Sequence, residues 1–490
     1  MAQHLKLYIN GKWMDSSNKK KQDILNPATQ ELIAQAPETT KQETENAIKT
    51  AQDTFQRGVW SDCTPQERAN VLSQIADKME ANLESIIATE VENNGKTWRE
   101  AEADATDAAG TFRYYASLLT TSNDEAFEAD EGLQTMIVKE PIGVVGLIVP
   151  WNFPLLMSVW KIAPALAAGN SIILKPAEIT PMTAVKLFEL IDQTDLPKGV
   201  AQLLMGQGPV VGQTLAENRH VDMVSFTGST QVGRSIMQAA TTNLKKISLE
   251  LGGKSPNIIF DDADLDVAID HALFGIFMGA GQVCSAGSRI IVQDGIYDTF
   301  VNRFTERAKQ INVGPGNDKN AEMGAIVSEK QMKTILDYIQ IGKDEGARLT
   351  CGGKRIERDG MEKGFFIEPT VFADVTSDMR IVQEEIFGPV VVIQKFKEED
   401  EAIEFANDTT YGLAGAVFST DQNKAMRTIQ KVRSGITWVN NYHLTGVQAP
   451  WGGYKQSGIG RSLGTYGLDE YQETKQINIS TDPQPIHWFE

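Results

Sequence analysis

The sequence predicts an α/β protein built on parallel sheets, and three observations carry that prediction. Between Thr135 and Gly253, short β-rich runs alternate strictly with runs of helical periodicity, the pattern of βαβ units with helices on both faces of a sheet. A second α/β stretch follows from about Lys254 to Trp451. At 490 residues the chain is too long for one ordinary core, so two or three domains are expected.

Taken in order, the opening reads as two short strands, LKLYING and KWMDSS, and then mainly helix from about Lys41 to Leu119. Apolar residues in ERANVLSQIADKMEANLESIIATEV recur at helical spacing, which marks one buried face. TTSNDEAFEADEGLQ is polar and acidic and reads as a connection or an exposed hairpin. Strands are then expected at GVVGLIV, SIILK, AQLLM, MVSFT and KISLEL. The helices between them fall at LLMSVWKIAPALAA, PMTAVKLFELID, VVGQTLAEN and QVGRSIMQAATT. Ligands of such sheets bind at the carboxyl ends of the strands. The next helix starts near Asp262 and carries Leu265, Ile269, Leu273 and Ile276 on one face, with acidic residues where the helix dipole favours them. The tail YQETKQINIS is strand-like and suited to extend another subunit's sheet edge.

Composition narrows the function classes. Hydrophobic content of 41% and charged content of 23% are ordinary for a soluble globular protein. A formal net charge of -19 argues against nucleic acid and anionic membrane surfaces as partners. Cys63, Cys284 and Cys351 show no CxxC spacing, so neither a disulfide framework nor a zinc-thiolate site is expected, and a cytoplasmic location fits best. MAQHLKLYINGKW lacks the apolar core of a signal peptide. Pro141 to Trp160 carries no charge, but Pro141, Pro150, Pro154 and Asn152 interrupt it. A strand followed by a buried helix start explains it better than a membrane span.

Several short motifs fail on inspection. Gly460 to Gly464 matches GxSxG, yet only His487 follows as a base and no strand is expected before it. Gly95-Lys96-Thr97 has Glu90 where a phosphate loop needs glycine. No HExxH or acidic-histidine spacing is present, so no metal is expected. Gly206-Gln-Gly208-Pro-Val-Val-Gly212 is a stretched GxGxxG that carries little weight alone.

Three residues survive. Cys284 lies in the glycine-bounded loop GQVCSAGSR, just past an apolar helix. A lone buried cysteine is usually inert, but small neighbours leave this sulfur approachable. Glu250 ends the alternating run KISLEL before Gly252-Gly253. It is either a solvated edge residue or a general base with a raised pKa. Asn152 stands where a strand gives way to a helix, as a cap or as a donor to a developing oxyanion.

Together with PWNFPLLM (150–157), LKPAEITP (174–181), FTGSTQVG (226–233), LELGGKSPNIIF (249–260), EEIFGP (384–389) and APWGGYKQSGIGR (449–461), these residues closely resemble the aldehyde dehydrogenase superfamily over essentially the whole chain. The resemblance implies a Rossmann-like cofactor domain (1–118 with 141–252), an α/β catalytic domain (253–452) and a small β oligomerisation arm (119–140 with the tail, 453–490). It makes Cys284 the nucleophile, Glu250 the general base that activates water, and Asn152 with the Cys284 backbone N–H the oxyanion hole. The reaction implied is NAD-dependent oxidation of an aldehyde to an acid through a thiohemiacetal and a thioester. Branches that pass the acyl group to coenzyme A need no base for water, so Glu250 favours hydrolysis. Lys161 is either a proton-relay participant or a structural ion-pair partner.

For the cofactor, the resemblance places Lys175 and Glu178 at the adenosine ribose, where a carboxylate would repel a 2′-phosphate and favour NAD. Gly228 and Ser229 open the helix facing the pyrophosphate. Glu385 and Phe387 hold the nicotinamide ribose and ring, and Gly208 and Pro209 line the adenine pocket. Val149, Pro150, Trp151, Leu251 and Gly252 complete the set. Phe153, Met157, Trp160, Met278 and Trp451 would line the substrate funnel. The C-terminal stretch is most similar to the betaine aldehyde and aminoaldehyde branch, with Trp160 and Trp451 as walls of a cage for a cation. Phe153 and Met278 depart from that branch's usual aromatics. The alternatives are a general aliphatic or aromatic aldehyde as substrate and, more remotely, a non-catalytic protein of the same fold. A homodimer or homotetramer is expected.

Overall fold

The computed structural model describes residues 2–121, 125–130, 132–358 and 360–489, with the backbone alone for 125–130. Its first sheet has eight strands among the described residues. Five parallel strands form the centre, in the order Lys246–Glu250, Met223–Thr227, Val144–Ile148, Ser171–Lys175 and Ala201–Leu203. All five are the β-rich runs of the alternating region. Leu7–Ile9 and Lys12–Met14 add antiparallel at one edge. At the other edge Gly458–Ile459 pairs with Lys246–Glu250. A short strand therefore does precede the GxSxG-like stretch, contrary to the sequence expectation. Its Ser462 hydroxyl donates to Glu250 Oε1 at 3.4 Å.

The second sheet runs Arg348–Cys351, Thr370–Ala373, Val390–Phe396, Arg289–Gln293, Pro256–Ile259, Ala414–Phe418, Ile436–Val439, parallel except for its first strand. Lys21–Leu25 and Leu32–Pro37 form a separate small sheet with Gln3–His4, in a stretch where the sequence pattern marked no strands. The acidic segment does form a hairpin strand, Glu125–Asp130, against Leu133–Pro141. The tail strand Gln472–Ser480 pairs antiparallel with Leu133–Pro141 of its own chain. The strand that the sequence lent to another subunit is thus already used at home on one edge.

Helix starts follow local chemistry. Thr40 and Thr64 each close a capping box with the glutamate three residues on, satisfying backbone donors at both ends of the exchange. The charge-free segment resolves into the strand Val144–Ile148 and the helix Pro154–Ala167. Among the described residues no helix is long and apolar enough to cross a membrane. One large core, including Val145, Leu147, Ile162 and Leu174, lies on a face of the first sheet, and Ile290, Val392 and Phe300 belong to a core on the second. Phe153 packs against both. The loops at that seam carry the candidate chemistry.

Candidate active site

The Leu265–Phe277 helix, capped by Asp264 through Asp266 and Val267 N–H, delivers the chain to the loop that carries Cys284. There the backbone takes three left-handed residues in a row: Gly279 (φ 60°), Ala280 (φ 53°) and Gly281 (φ 70°). A Cβ at Gly281 would collide with the Gly388 carbonyl, so glycine is required there on both counts. Ala280 has no such freedom, and strain of this kind persists only where surroundings hold it. Cys284 follows, a free thiol that keeps partial exposure while packing against the second core. Burial, then the charges of Glu250 and Glu385, push its thiol up to about 12, while the N–H groups of Ser285 and Cys284 pull it back. The resting group is therefore the thiol, and attack requires that its proton leave.

Asn152 does not cap its helix. The cap position is Phe153, with no side-chain bond. Instead Asn152 Nδ2 donates to the Gln282 carbonyl at 2.8 Å, two residues before the cysteine. Glu250 is not a solvated edge residue either, being only 6% exposed. Burial raises its carboxyl well above the usual carboxylate range, against the pull of Lys161 and Arg461. Its Oε2 has no hydrogen-bond partner among the described residues. Lys161, equally buried, donates from Nζ to Ser225 Oγ at 2.9 Å, and Tyr471 O–H donates to the same oxygen at 3.1 Å. Burial lowers the Lys161 pKa and Glu250 opposes this. Among the described residues it makes no close ion pair, and Glu250 acts on it only through the longer-range charge interaction.

Glu178 Oε1 receives the Lys175 ammonium at 3.0 Å and the Gly208 N–H at 2.7 Å. Burial opposes its charge, but Lys175 and these hydrogen bonds leave the carboxyl below its ordinary pKa. It is an anion suited to accept ribose hydroxyls. Pro209, exposed, continues from Gly208 into the turn Gly208–Gly212. Gly228 N–H donates to the Glu250 carbonyl at 3.0 Å, and a Cβ there would lie 2.5 Å from the Phe226 ring. Ser229 caps the Thr230–Ala239 helix through Val232 N–H, leaving an N-terminus of the kind that favours phosphate. Glu385 Oε1 accepts from Gly253 N–H at 3.0 Å, and a Cβ on Gly252 would strike this carboxylate. Burial pushes Glu385 up to about 7. Phe387 sits at φ 58° with its ring 5.1 Å edge-on to Trp151. Val149 N–H is held by the Lys175 carbonyl at 3.1 Å, the Trp151 carbonyl by Asn94 at 2.7 Å, and Leu251 N–H by the Ser457 carbonyl at 2.8 Å. Pro150 lies between Val149 and Trp151 in this strand-to-helix turn. The carboxylate and the helix N-terminus fit a dinucleotide.

Of the expected substrate residues, Trp160 and Trp451 meet edge-on at 5.5 Å. Met157 and Trp160 pack on the first core, Met278 and Trp451 on the second. Sequence reasoning missed Trp438, whose ring lies 6.5 Å from Trp451. It also missed Gln282 and Ser462. An amide inside an otherwise small or apolar loop was the available signal for Gln282.

The fold and this site define a member of the aldehyde dehydrogenase family, and residues 13–477 match that family's sequence pattern. The chain belongs to it. It is 48% identical to a betaine aldehyde dehydrogenase of Bacillus subtilis, covering 99% of each chain. It is 46% identical to a retinal dehydrogenase 2 of Gallus gallus, over 97% of this chain and 92% of the other. The solved betaine aldehyde dehydrogenase of Staphylococcus aureus in complex with NAD+ superposes with a TM-score of 0.97 at 47% identity, covering 99% of this chain and 96% of that one.

Proposed function

We propose that this chain oxidises an aldehyde to the carboxylic acid through a thioester on Cys284, and that it does so with NAD+. One observation carries the reading: the Asn152 amide is anchored at 2.8 Å to the loop carbonyl two residues from a partly exposed cysteine. Cys284, partly exposed, gives its thiol proton to water, and its sulfur attacks the aldehyde carbon. Asn152 and the Cys284 N–H donate to the oxyanion that develops. When bound, NAD+ supplies the hydride acceptor. Glu250 then takes a proton from water, which attacks the thioester and releases the acid. Lys175, Glu178, Gly208, Gly228, Ser229, Glu385 and Phe387 would hold the dinucleotide.

The favoured substrate is betaine aldehyde or another amino or ammonium aldehyde. Trp160, Trp451 and the neighbouring Trp438 support it, since each ring facing a cation contributes about 0.5–2 kcal/mol. An uncharged aldehyde is the second reading, favoured by the comparable identity to a retinal dehydrogenase. The domain division 1–118 with 141–252, 253–452, and 119–140 with 453–490 belongs to the same proposal. So does a cytoplasmic homodimer or homotetramer, supported by the exposed Ile486, Trp488 and Phe489, which a solitary chain would leave in water.

The test is growth of NADH absorbance with NAD+ and betaine aldehyde, set against NADP+ and against an uncharged isostere. Activity absent in Cys284→Ala and a higher kcat/KM for the cation are expected. Equal kcat/KM for the two aldehydes removes the cage, and activity surviving in Cys284→Ala removes the thioester.

A further inference from the structure

The nucleophile loop contains a side chain that the reaction does not consume and that burial nonetheless makes expensive to leave unsatisfied. Gln282 is 5% exposed. Its Nε2 donates to the Gly279 carbonyl at 3.1 Å and to the Ala325 carbonyl at 3.4 Å, while its Oε1 accepts from Val327 N–H at 3.0 Å. Gly279 O also accepts from Gln282 N–H at 3.1 Å. The carboxamide therefore bridges the strained loop to a separate segment, 325–327, which is itself tied back through Ala325 N–H to the Gly95 carbonyl at 2.9 Å. From the other side Glu100 clamps the same loop: its Oε1 accepts from Gly279 N–H at 2.7 Å and its Oε2 from Thr97 N–H at 2.8 Å.

The same residue's main-chain carbonyl is the acceptor for Asn152 Nδ2 at 2.8 Å. A carboxamide nitrogen has two hydrogens. One, spent on Gln282, sets the plane of the amide, so the other is aimed before a substrate arrives. We propose that Gln282 is the positioning residue of the oxyanion hole: its side chain locks the loop, and its carbonyl orients the Asn152 amide toward the carbonyl oxygen of the aldehyde attacked by Cys284. Donors aligned in advance need no reorganisation as charge develops, which is where such a hole gains its effect. Glu100, by holding Gly279, supports the same alignment from the helix Trp98–Thr121.

This inference rests on the reading of Cys284 and Asn152 given above, and a double-mutant cycle separates the two. The acylation rate is read as the NADH burst in the wild type, Gln282→Met, Asn152→Ala and the double variant, with NAD+ Kd and aldehyde KM alongside. Asn152→Ala is expected to slow the burst on the order of 10²–10³-fold. Gln282→Met is expected to slow it about tenfold or more, with NAD+ Kd unchanged, and to add little in the Asn152→Ala background. A purely structural glutamine would act equally in both backgrounds, and multiplying effects overturn the proposal. If Gln282→Met fails to bind NAD+, the cycle is run with Gln282→Glu, which keeps the acceptor for Val327 N–H. If that variant also fails, Gln282 serves folding alone and the proposal falls. A normal burst in Asn152→Ala alone sinks the underlying oxyanion reading instead.

Discussion

Two buried lysines in this molecule meet carboxylates in opposite ways. Lys96 is in contact with its partners, Asp104 at 2.5 Å and Glu90 at 3.2 Å. Burial disfavours its charge, yet those carboxylates hold its pKa up at about 12. Lys161 is as deeply buried, but among the described residues its ammonium hydrogen-bonds only Ser225, and Glu250 acts on it from a distance. There burial wins on both partners: the lysine moves down and the glutamate moves up. Contact keeps the Lys96 ammonium charged, although burial still raises its partner Asp104 to about 6, and the group braces Phe153, whose ring lies 4.6 Å from the Lys96 ammonium. Separation leaves the second group able to exchange protons near ordinary pH, which is what a general base needs.

Removing the proposed base should have the largest effect. Glu250→Gln is expected to keep a single NADH burst while steady turnover falls on the order of 10²–10⁴-fold; turnover at the wild-type rate would break the contrast. The brace comes next. Lys96→Met strands Glu90 and Asp104 without a counter-charge and should destabilise the fold by about 3–5 kcal/mol, read by denaturant or thermal melting. Lys161→Met, by contrast, replaces an ammonium that among the described residues makes no close ion pair, so it should cost less stability than Lys96→Met. A melt showing equal losses for the two lysines would erase the distinction.

The pH dependence sharpens it further. A general base at Glu250, as proposed, works only when ionised, so deacylation is expected to fall as pH drops through the raised Glu250 pKa, above the usual carboxylate range. Lys161 pulls that pKa down, and Lys161→Met should therefore move the limb of the pH–rate profile to higher pH. A shift to lower pH contradicts the coupling. Smallest of all, Ser462→Ala removes the 3.4 Å donation to Glu250 Oε1. It should move the limb the same way, by a change worth about 0.5–1.5 kcal/mol.

Much of this was legible before any coordinates. The five central strands of the first sheet appear in the sequence as β-rich runs because strands buried on both faces must be apolar throughout. Cys284, Glu250 and Asn152 were visible through their motifs and their unusual settings. The strands Lys21–Leu25 and Leu32–Pro37 were not, since their burial alternates irregularly and no long apolar run announces them. Gly458–Ile459 was missed because two residues carry no period, and only the edge of Lys246–Glu250 defines them as a strand.

What the chain alone determined was local: the order of strands and helices, the caps at Thr40 and Thr64, and which residue types stand at the loops where chemistry is possible. The three-dimensional fold decided which of those residues meet. Lys96 finds Asp104 eight positions away along the chain, whereas Lys161 finds Ser225 64 positions away and Asn152 finds Gln282 130 positions away. A partner eight positions on, in the helix that follows, is already near along the chain. A partner brought in by sheet packing is not, because burial and hydrogen-bond geometry exist only after the chain has closed on itself.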